Sequence, residues 1–338
     1  MFPAIDSTLR PEALVQEVLP HYGIGDIVRC RLQARGLNDT YKVEASDKRS
    51  YFLRVYRRGW RTRSDIETEI EMLQHLAHYG VSISVPVART DGAALVPLQC
   101  AEGERWAALF TAAPGEPVEY KAFTEEQAHR YGEAAAALHH AADSFAGQRV
   151  RPAIDLPSLL ERPLAFVTST ISQRVDDVLY LTMLGDRLRA GVDGSNGIEI
   201  GFCHGDLHGH NASYADSAFT IYDFDCCGWG YRAYDLAVFT WAFALTEQPQ
   251  EKIEAMGRSF LQGYRQRRRI GDVDVAAVPA FVALRQIWIM GLHVSIADRF
   301  GWGWIGDPYF DHQLKILRDW DQRFLNRPIA EWLLPKAQ

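Results

Sequence analysis

Polar and apolar positions change their rhythm once along this chain. Tyr51, Leu53 and Val55 alternate with Phe52, Arg54 and Tyr56, the two-residue period of a strand with two different faces. Shorter β-type runs, Asp26 to Gln33 and Thr40 to Glu44, flank a turn at Gly36-Leu37-Asn38-Asp39. Val85 to Arg89 and Ala107 to Thr111 read as further strands. A helix is predicted from about Asp65 to His78, opened by a capping-box pattern at Ser64-Asp65-Ile66-Glu67. After Ala113-Pro114-Gly115-Glu116-Pro117 the helical period dominates. It covers Thr124 to Ala142, the region around Ser158 to Thr168, Asp235 to Thr246, Gln250 to Arg267 and Val278 to Ala297. The pattern predicts an α+β protein of two lobes, a small β-rich one over 1–111 and a larger, mainly helical one over 112–338, without internal repeats.

One polar residue violates its helix's pattern. At 100° per residue, Ile66, Ile70, Met72, Leu73 and Leu76 form an apolar arc, with Glu69 in its middle and Glu67 and Glu71 opposite. A carboxylate on the core face needs a cation, because an unpaired buried charge is costly. The preceding strand offers Arg54. The pair suits a site that grips nucleotide phosphates; a purely structural ion pair is the plainer alternative.

The strongest chemical signal is His204-Gly205-Asp206-Leu207-His208-Gly209-His210-Asn211, followed by Tyr222-Asp223-Phe224-Asp225. Asp206 and Asn211 meet the Asp-x4-Asn spacing of a kinase catalytic loop. Phosphoryl transfer needs a carboxylate for the acceptor's hydroxyl proton and oxygen ligands for magnesium. Asp206 is the candidate base, and Asn211 and Asp223 are the candidate metal ligands. A rival reading takes the alternating His204, Asp206, His208 and His210 as ligands of a zinc or binuclear hydrolytic centre. Loop histidines that merely pack or hydrogen-bond are the simpler account of His208 and His210.

Weaker signals surround this core. Gly36, Asn38 and Thr40 lie in a turn able to cover nucleotide phosphates with backbone N–H groups, though an ordinary hairpin turn fits as well. Leu109 to Ala112, with Leu109 and Thr111, stands where a hinge would meet an adenine edge. Asp235 is expected to cap its helix or pair with Arg232. His208, Tyr234, Arg285 and Trp304 are the candidates to face an acceptor. Arg285 suits an anionic group, with a buried ion pair as the alternative. The aromatic stretch Trp302-Gly303-Trp304, with Tyr309 and Phe310, suits an amine held by cation–π contact, with core packing as the alternative.

Composition narrows the class. A net charge of −7 argues against a nucleic-acid surface, and two arginine-rich stretches at 57–63 and 265–269 read as solvated charge. Five scattered cysteines without a CxxC pair fit a reducing compartment. No signal peptide is evident, and no uncharged apolar run nears the roughly 20 residues that span a bilayer. A cytoplasmic protein without membrane partners is expected.

Taken together, these residues resemble the aminoglycoside phosphotransferase and choline kinase superfamily, including its homoserine-kinase-like and bacterial stress-response-kinase branches. The resemblance runs from the Gly36-Leu37-Asn38-Asp39-Thr40 turn to the aromatic C-terminal helices. It implies a protein-kinase-like fold with ATP and magnesium between the lobes, Asp206 as base, Asn211 and Asp223 on the metal, and Glu69 as the helix glutamate. Arg54 stands where lysine is usual; arginine keeps the charge and forks to phosphate. The Phe224-Asp225 pair, where protein kinases have Phe-Gly, favours a metabolite acceptor. The implied activity is O-phosphotransfer to a hydroxylated small molecule, amine-bearing ones included. A Ser/Thr protein kinase and a non-catalytic nucleotide-binding pseudokinase are the alternatives. The acceptor, the choice of ATP over GTP and the oligomeric state are not specified by these residues.

Overall fold

In a computed structural model the protein is described over residues 2–333, apart from 149 and 247. It comprises two compact units. The first holds residues 1–114 and takes back 145–151 and 220–222; the second holds 115–144, 152–219 and 223–338. The division therefore follows Pro114 rather than Thr111, and two later segments rejoin the first unit instead of one clean cut.

The first unit is built on an antiparallel sheet of β1 (Ile27–Arg35), β2 (Asp39–Ala45), β3 (Ser50–Val55), β4 (Leu95–Cys100) and β5 (Gly103–Thr111), in the order β1-β2-β3-β5-β4. Strict alternation in β2 and β3 turns Tyr41, Val43, Leu53 and Val55 inward. There they meet Leu14 and Val18 at the short helix α1 (Pro11–Glu17). Arg105 is fully buried in this unit, where Asp39 at 2.8 Å and Glu102 at 3.2 Å neutralise it. Helix α2 (Arg63–His78) starts two residues before the expected Asp65. Its cap is Thr62, whose hydroxyl accepts from the Asp65 amide while the Asp65 carboxylate accepts from the Thr62 amide. The expected strand at Val85 to Arg89 is not a strand. It joins β5 through one isolated bridge, Pro86 opposite Phe110, with Val87 N–H donating to Leu109 C=O and Thr111 N–H to Val85 C=O. The true edge strand is β4, which carries Pro97; an edge can spare the missing N–H.

The second unit is mainly helical: α3 (Glu125–Ala142), α4 (Arg162–Thr170), α5 (Val175–Asp193), α6 (Arg232–Leu245), α7 (Gln250–Arg267), α8 (Asp272–Ser295), α9 (Ala297–Phe300) and α10 (Asp307–Trp320). Short strands interrupt them, β6 (Ile200–Cys203), β7 (Ala212–Ala215) and β9 (Gly228–Tyr231), with β6 antiparallel to β9, while β8 (Ala218–Ile221) is shared between the two units. Helices α3 and α7 pack so closely that a Cβ on Gly263 would lie 1.9 Å from the His129 carbonyl oxygen. Helix α6 is buried almost all round and lies against α8. Helix α8 extends six residues upstream of the expected Val278, with Pro279 inside it. Among the described residues it is the one helix long and apolar enough to cross a membrane, and 72% of that apolar window is buried within the protein.

Candidate active site

Asp206 follows β6 on a loop clamped from beneath. The Asp235 side chain in α6 is fully buried and accepts from the His204 amide at 2.6 Å and the Gly205 amide at 2.8 Å. It neither caps α6 nor pairs with Arg232, as expected from position. Arg232 is taken by Glu199 at 2.8 Å and by Asp143. The clamp has a second layer, because His139 Nε2 lies 3.0 Å from Asp235 and its Nδ1 lies 2.9 Å from the Tyr264 hydroxyl. Burial lowers the His139 pKa. The neutral ring fits this network with its proton on Nε2, donated to Asp235, while Nδ1 accepts from Tyr264.

Gly205 adopts φ +78°, and a Cβ there would sit 2.1 Å from the Cys226 carbonyl oxygen. Only glycine meets both demands, and the result is that the Asp206 loop and the Asp223 loop lie against each other. The rings of His204 and Phe224, 4.4 Å apart, join the same two loops. Asp223 is exposed and left-handed (φ +63°), a conformation that aspartate tolerates better than most residues.

Three side chains meet the Asp206 carboxylate, and a fourth holds its backbone amide. Asn211 Nδ2 donates to its Oδ2 at 3.0 Å and to the Asp206 backbone carbonyl at 2.9 Å. His208 Nε2 lies 3.5 Å from Oδ2, while its Nδ1 accepts from the His210 amide. The His204 ring accepts from the Asp206 amide at 3.2 Å. Arg285 Nη2 donates to Oδ1, and its Nη1 reaches the Gly205 carbonyl at 3.3 Å and the Tyr234 hydroxyl at 3.1 Å. Burial pushes the Asp206 pKa up, but Arg285, then His208 and His204, outweigh it and hold the carboxyl well below the usual range. Asp206 therefore carries a negative charge, with about 22% of its side chain exposed.

Of the other acceptor-facing candidates, Tyr234 is buried on Arg285. Trp304 stands 5.1 Å from His293 and 5.5 Å from Tyr309, with 41% of it exposed. Phe310 belongs to the core, so the aromatic stretch divides between packing and surface. His293 donates to or accepts from the Tyr309 hydroxyl at 2.7 Å, and burial, helped by Arg285, lowers its pKa to about 4. Between about pH 6.5 and 4 the unfolded chain binds this proton and the folded one does not, so stability is lost as the pH drops through that window. His293→Gln is expected to flatten that slope by about 2 kcal/mol in urea titrations at pH 4.5 and 7.

The histidine-rich hydrolase reading fails on geometry. His204 turns to the Asp206 amide, His208 to the carboxylate and His210 to the Tyr120 ring at 4.5 Å. No group of three His, Cys, Asp or Glu among the described residues is placed to hold a metal.

The remaining candidates belong to the first unit. Arg54 Nη1 donates to Glu69 Oε1 at 2.9 Å, and Glu69 is buried. Arg151, which the sequence reading missed, lies 3.6 Å from the other Glu69 oxygen. Arg54 also lies over the Phe110 ring at 5.2 Å. Thr40 pairs with Arg54 across β2 and β3, and the Asn38 side chain accepts from the Arg57 amide at 3.0 Å. Gly36 N–H donates to the Asn38 carbonyl, closing the β1–β2 turn. Leu109 is wholly buried and its carbonyl is taken by Val87; the Thr111 amide and hydroxyl both bond Val85. The backbone expected at a hinge is thus occupied by the segment around Val85 and Val87.

Residues 30–270 match the model of the phosphotransferase enzyme family (APH). The chain belongs to that family. It is a phosphotransferase that uses an alcohol group as acceptor, on the small-molecule side of the kinase-like enzymes. It is 28% identical over 268 residues to homoserine kinase of Xanthobacter autotrophicus, covering 79% of this chain and 80% of that one. The fold is that of amicoumacin kinase hAmiN in complex with AMP-PNP, Ca2+ and Ami (TM-score 0.74, 20% identity, 91% and 93% coverage). It is equally that of the microcompartment-associated aminopropanol kinase (TM-score 0.71, 22% identity, 91% and 94% coverage).

Proposed function

We propose that this phosphotransferase moves the γ-phosphoryl group of ATP, with magnesium, to a hydroxylated small molecule that bears an amine. The observation that carries the reading is how Asn211 is used. Its Nδ2 is engaged by Asp206, which leaves its Oδ1 as an oxygen donor beside the candidate base. Asn211 and Asp223 are the residues proposed to hold magnesium, which when bound neutralises charge on the phosphates. Asp206 accepts the proton of the acceptor hydroxyl as that oxygen bonds to the γ-phosphorus, and the bond to ADP breaks.

In the first unit, Arg54 is the cation proposed for the nucleotide phosphates, with Glu69 fixing its fork. The turn carrying Gly36, Asn38 and Thr40 is their proposed cover. Because the backbones of Leu109 and Thr111 and the Ala112 amide are engaged, an adenine edge is expected to meet the chain beyond Ala112. An amine-bearing acceptor is supported by the neutral, aromatic grouping of His293, Tyr309 and Trp304, and by relatives named for homoserine and aminopropanol.

The test is nucleotide binding with and without metal. Wild-type protein should gain a few degrees of thermal stability from ATP at 100 times its dissociation constant, equivalent to about 2.7 kcal/mol, in magnesium but not in EDTA. Asp223→Ala should lose that magnesium-dependent shift. A normal shift in Asp223→Ala would remove Asp223 from the metal site.

A further inference from the structure

We propose that Arg285 is the positioning residue for Asp206 during phosphoryl transfer, holding the plane of its carboxylate from the rigid helical core. This rests on Asp206 being the base. The Asp206 loop has only Asn211 and His208 to orient its side chain locally, and both meet the same oxygen, Oδ2. Held at one oxygen, a carboxylate still swings about it. Arg285 supplies the second point, at Oδ1, and from a different element, α8.

Arg285 itself has little freedom. Its guanidinium carbon lies 4.7 Å from the centre of the Trp241 ring and 4.4 Å from that of Trp288, and the residue is 2% exposed. A cation held over two indole rings is restrained by both. Within the plane, the Gly205 carbonyl and the Tyr234 hydroxyl fix its rotation. Trp241 is pinned in turn, its indole N–H donating to Gln286 at 2.8 Å while Gln286 Nε2 donates to Gln313 in α10 at 2.7 Å. The restraint therefore runs from α10 through α8 and α6 to one oxygen of Asp206.

This arrangement also decides against Arg285 as an anchor for an anionic acceptor, because the residue is buried and its fork already has three partners. Nor does core packing explain it. A buried arginine needs one counter-charge, and the one chosen is the carboxylate that is partly open to solvent.

The experiment is Arg285→Ala, studied by crystallography and by steady-state ATP turnover with water as acceptor, each with and without guanidinium chloride at millimolar concentration. Truncation leaves a space beside two indoles of the size of a free guanidinium ion. The Asp206 carboxylate is expected to leave its wild-type orientation in the variant. Turnover at saturating ATP should fall by about 100-fold, with KM for ATP within about twofold, since a 1 Å misplacement costs that much. Added guanidinium should restore both the orientation and most of the rate. Arg285→Lys, which keeps the charge without the fork, should restore neither fully. An Asp206 carboxylate unmoved in the Arg285→Ala crystal would overturn the proposal. So would a rate loss that guanidinium leaves untouched, which would assign Arg285 to the core. If Arg285→Ala fails to fold, Arg285→Lys is read in the same two ways, and a wild-type rate and carboxylate there overturn the proposal. Absence of turnover in the wild type would count against the kinase reading, while the crystallographic arm still decides the role of Arg285.

Discussion

Asp206→Asn is expected to bind Mg·ATP as the wild type does and to transfer its phosphoryl group about 10³-fold more slowly. Loss of a positioned general base typically costs between about 10² and 10⁴ in rate. The substitution is nearly isosteric, and Asn keeps an oxygen for Asn211 or Arg285, so the loop should hold its shape. What disappears is the charge that Arg285 and His208 maintain on the carboxyl. Calorimetry with a non-hydrolysable nucleotide checks the first half of the expectation, and single-turnover kinetics the second. Equal losses of binding and rate would mean that Asp206 supports the nucleotide site rather than the acceptor proton.

Asp235→Ala is expected to cost stability and activity together. Two buried amides, of His204 and Gly205, would lose their acceptor, and His139 would lose the partner of its Nε2 proton. At about 1–3 kcal/mol for each orphaned donor, the loss is several kcal/mol. Equilibrium urea denaturation measures it. The surviving folded protein should transfer slowly, because the segment carrying Asp206 is tied to α6 through those two bonds. Asp235→Asn, which keeps one acceptor oxygen but sets an NH2 group against a donor, should fall between the wild type and Asp235→Ala in both measures. Wild-type stability in Asp235→Ala would show that the loop is held by Gly205 and the His204–Phe224 contact instead.

The features readable from sequence share one property, a strong local pattern. Glu69 stood out because a carboxylate on an apolar arc demands a partner, and Arg54 was the cation within reach on the preceding strand; the two are 2.9 Å apart. The Asp206-to-Asn211 spacing works the same way, since a loop of that length returns the amide to the aspartate. Arg151 and Asp235 were missed because their roles depend on contacts far apart in the chain. Arg151 reaches Glu69 from 82 positions away, by the difference of their numbers, and nothing near it marks it as a partner. Asp235 sits at the start of α6, where aspartate ordinarily caps; only the folded loop shows its two amides. Helix α5 escaped because Val175, Leu179 and Met183 are exposed while Leu181, Leu184 and Leu188 are buried, so apolar residues on both faces blur the period. Strand β4 escaped because Pro97 argues against a strand except at an edge.

The most direct test of the account follows the phosphorus itself. Protein, ATP and magnesium are incubated with a panel of amino alcohols that includes homoserine and 1-amino-2-propanol, and the products are followed by 31P NMR. ADP and a new phosphomonoester resonance are predicted in equal amounts, absent in EDTA and nearly absent with Asp206→Asn. A phosphomonoester formed at the wild-type rate by Asp206→Asn would contradict the assignment of the base, and with it the mechanism proposed for this site.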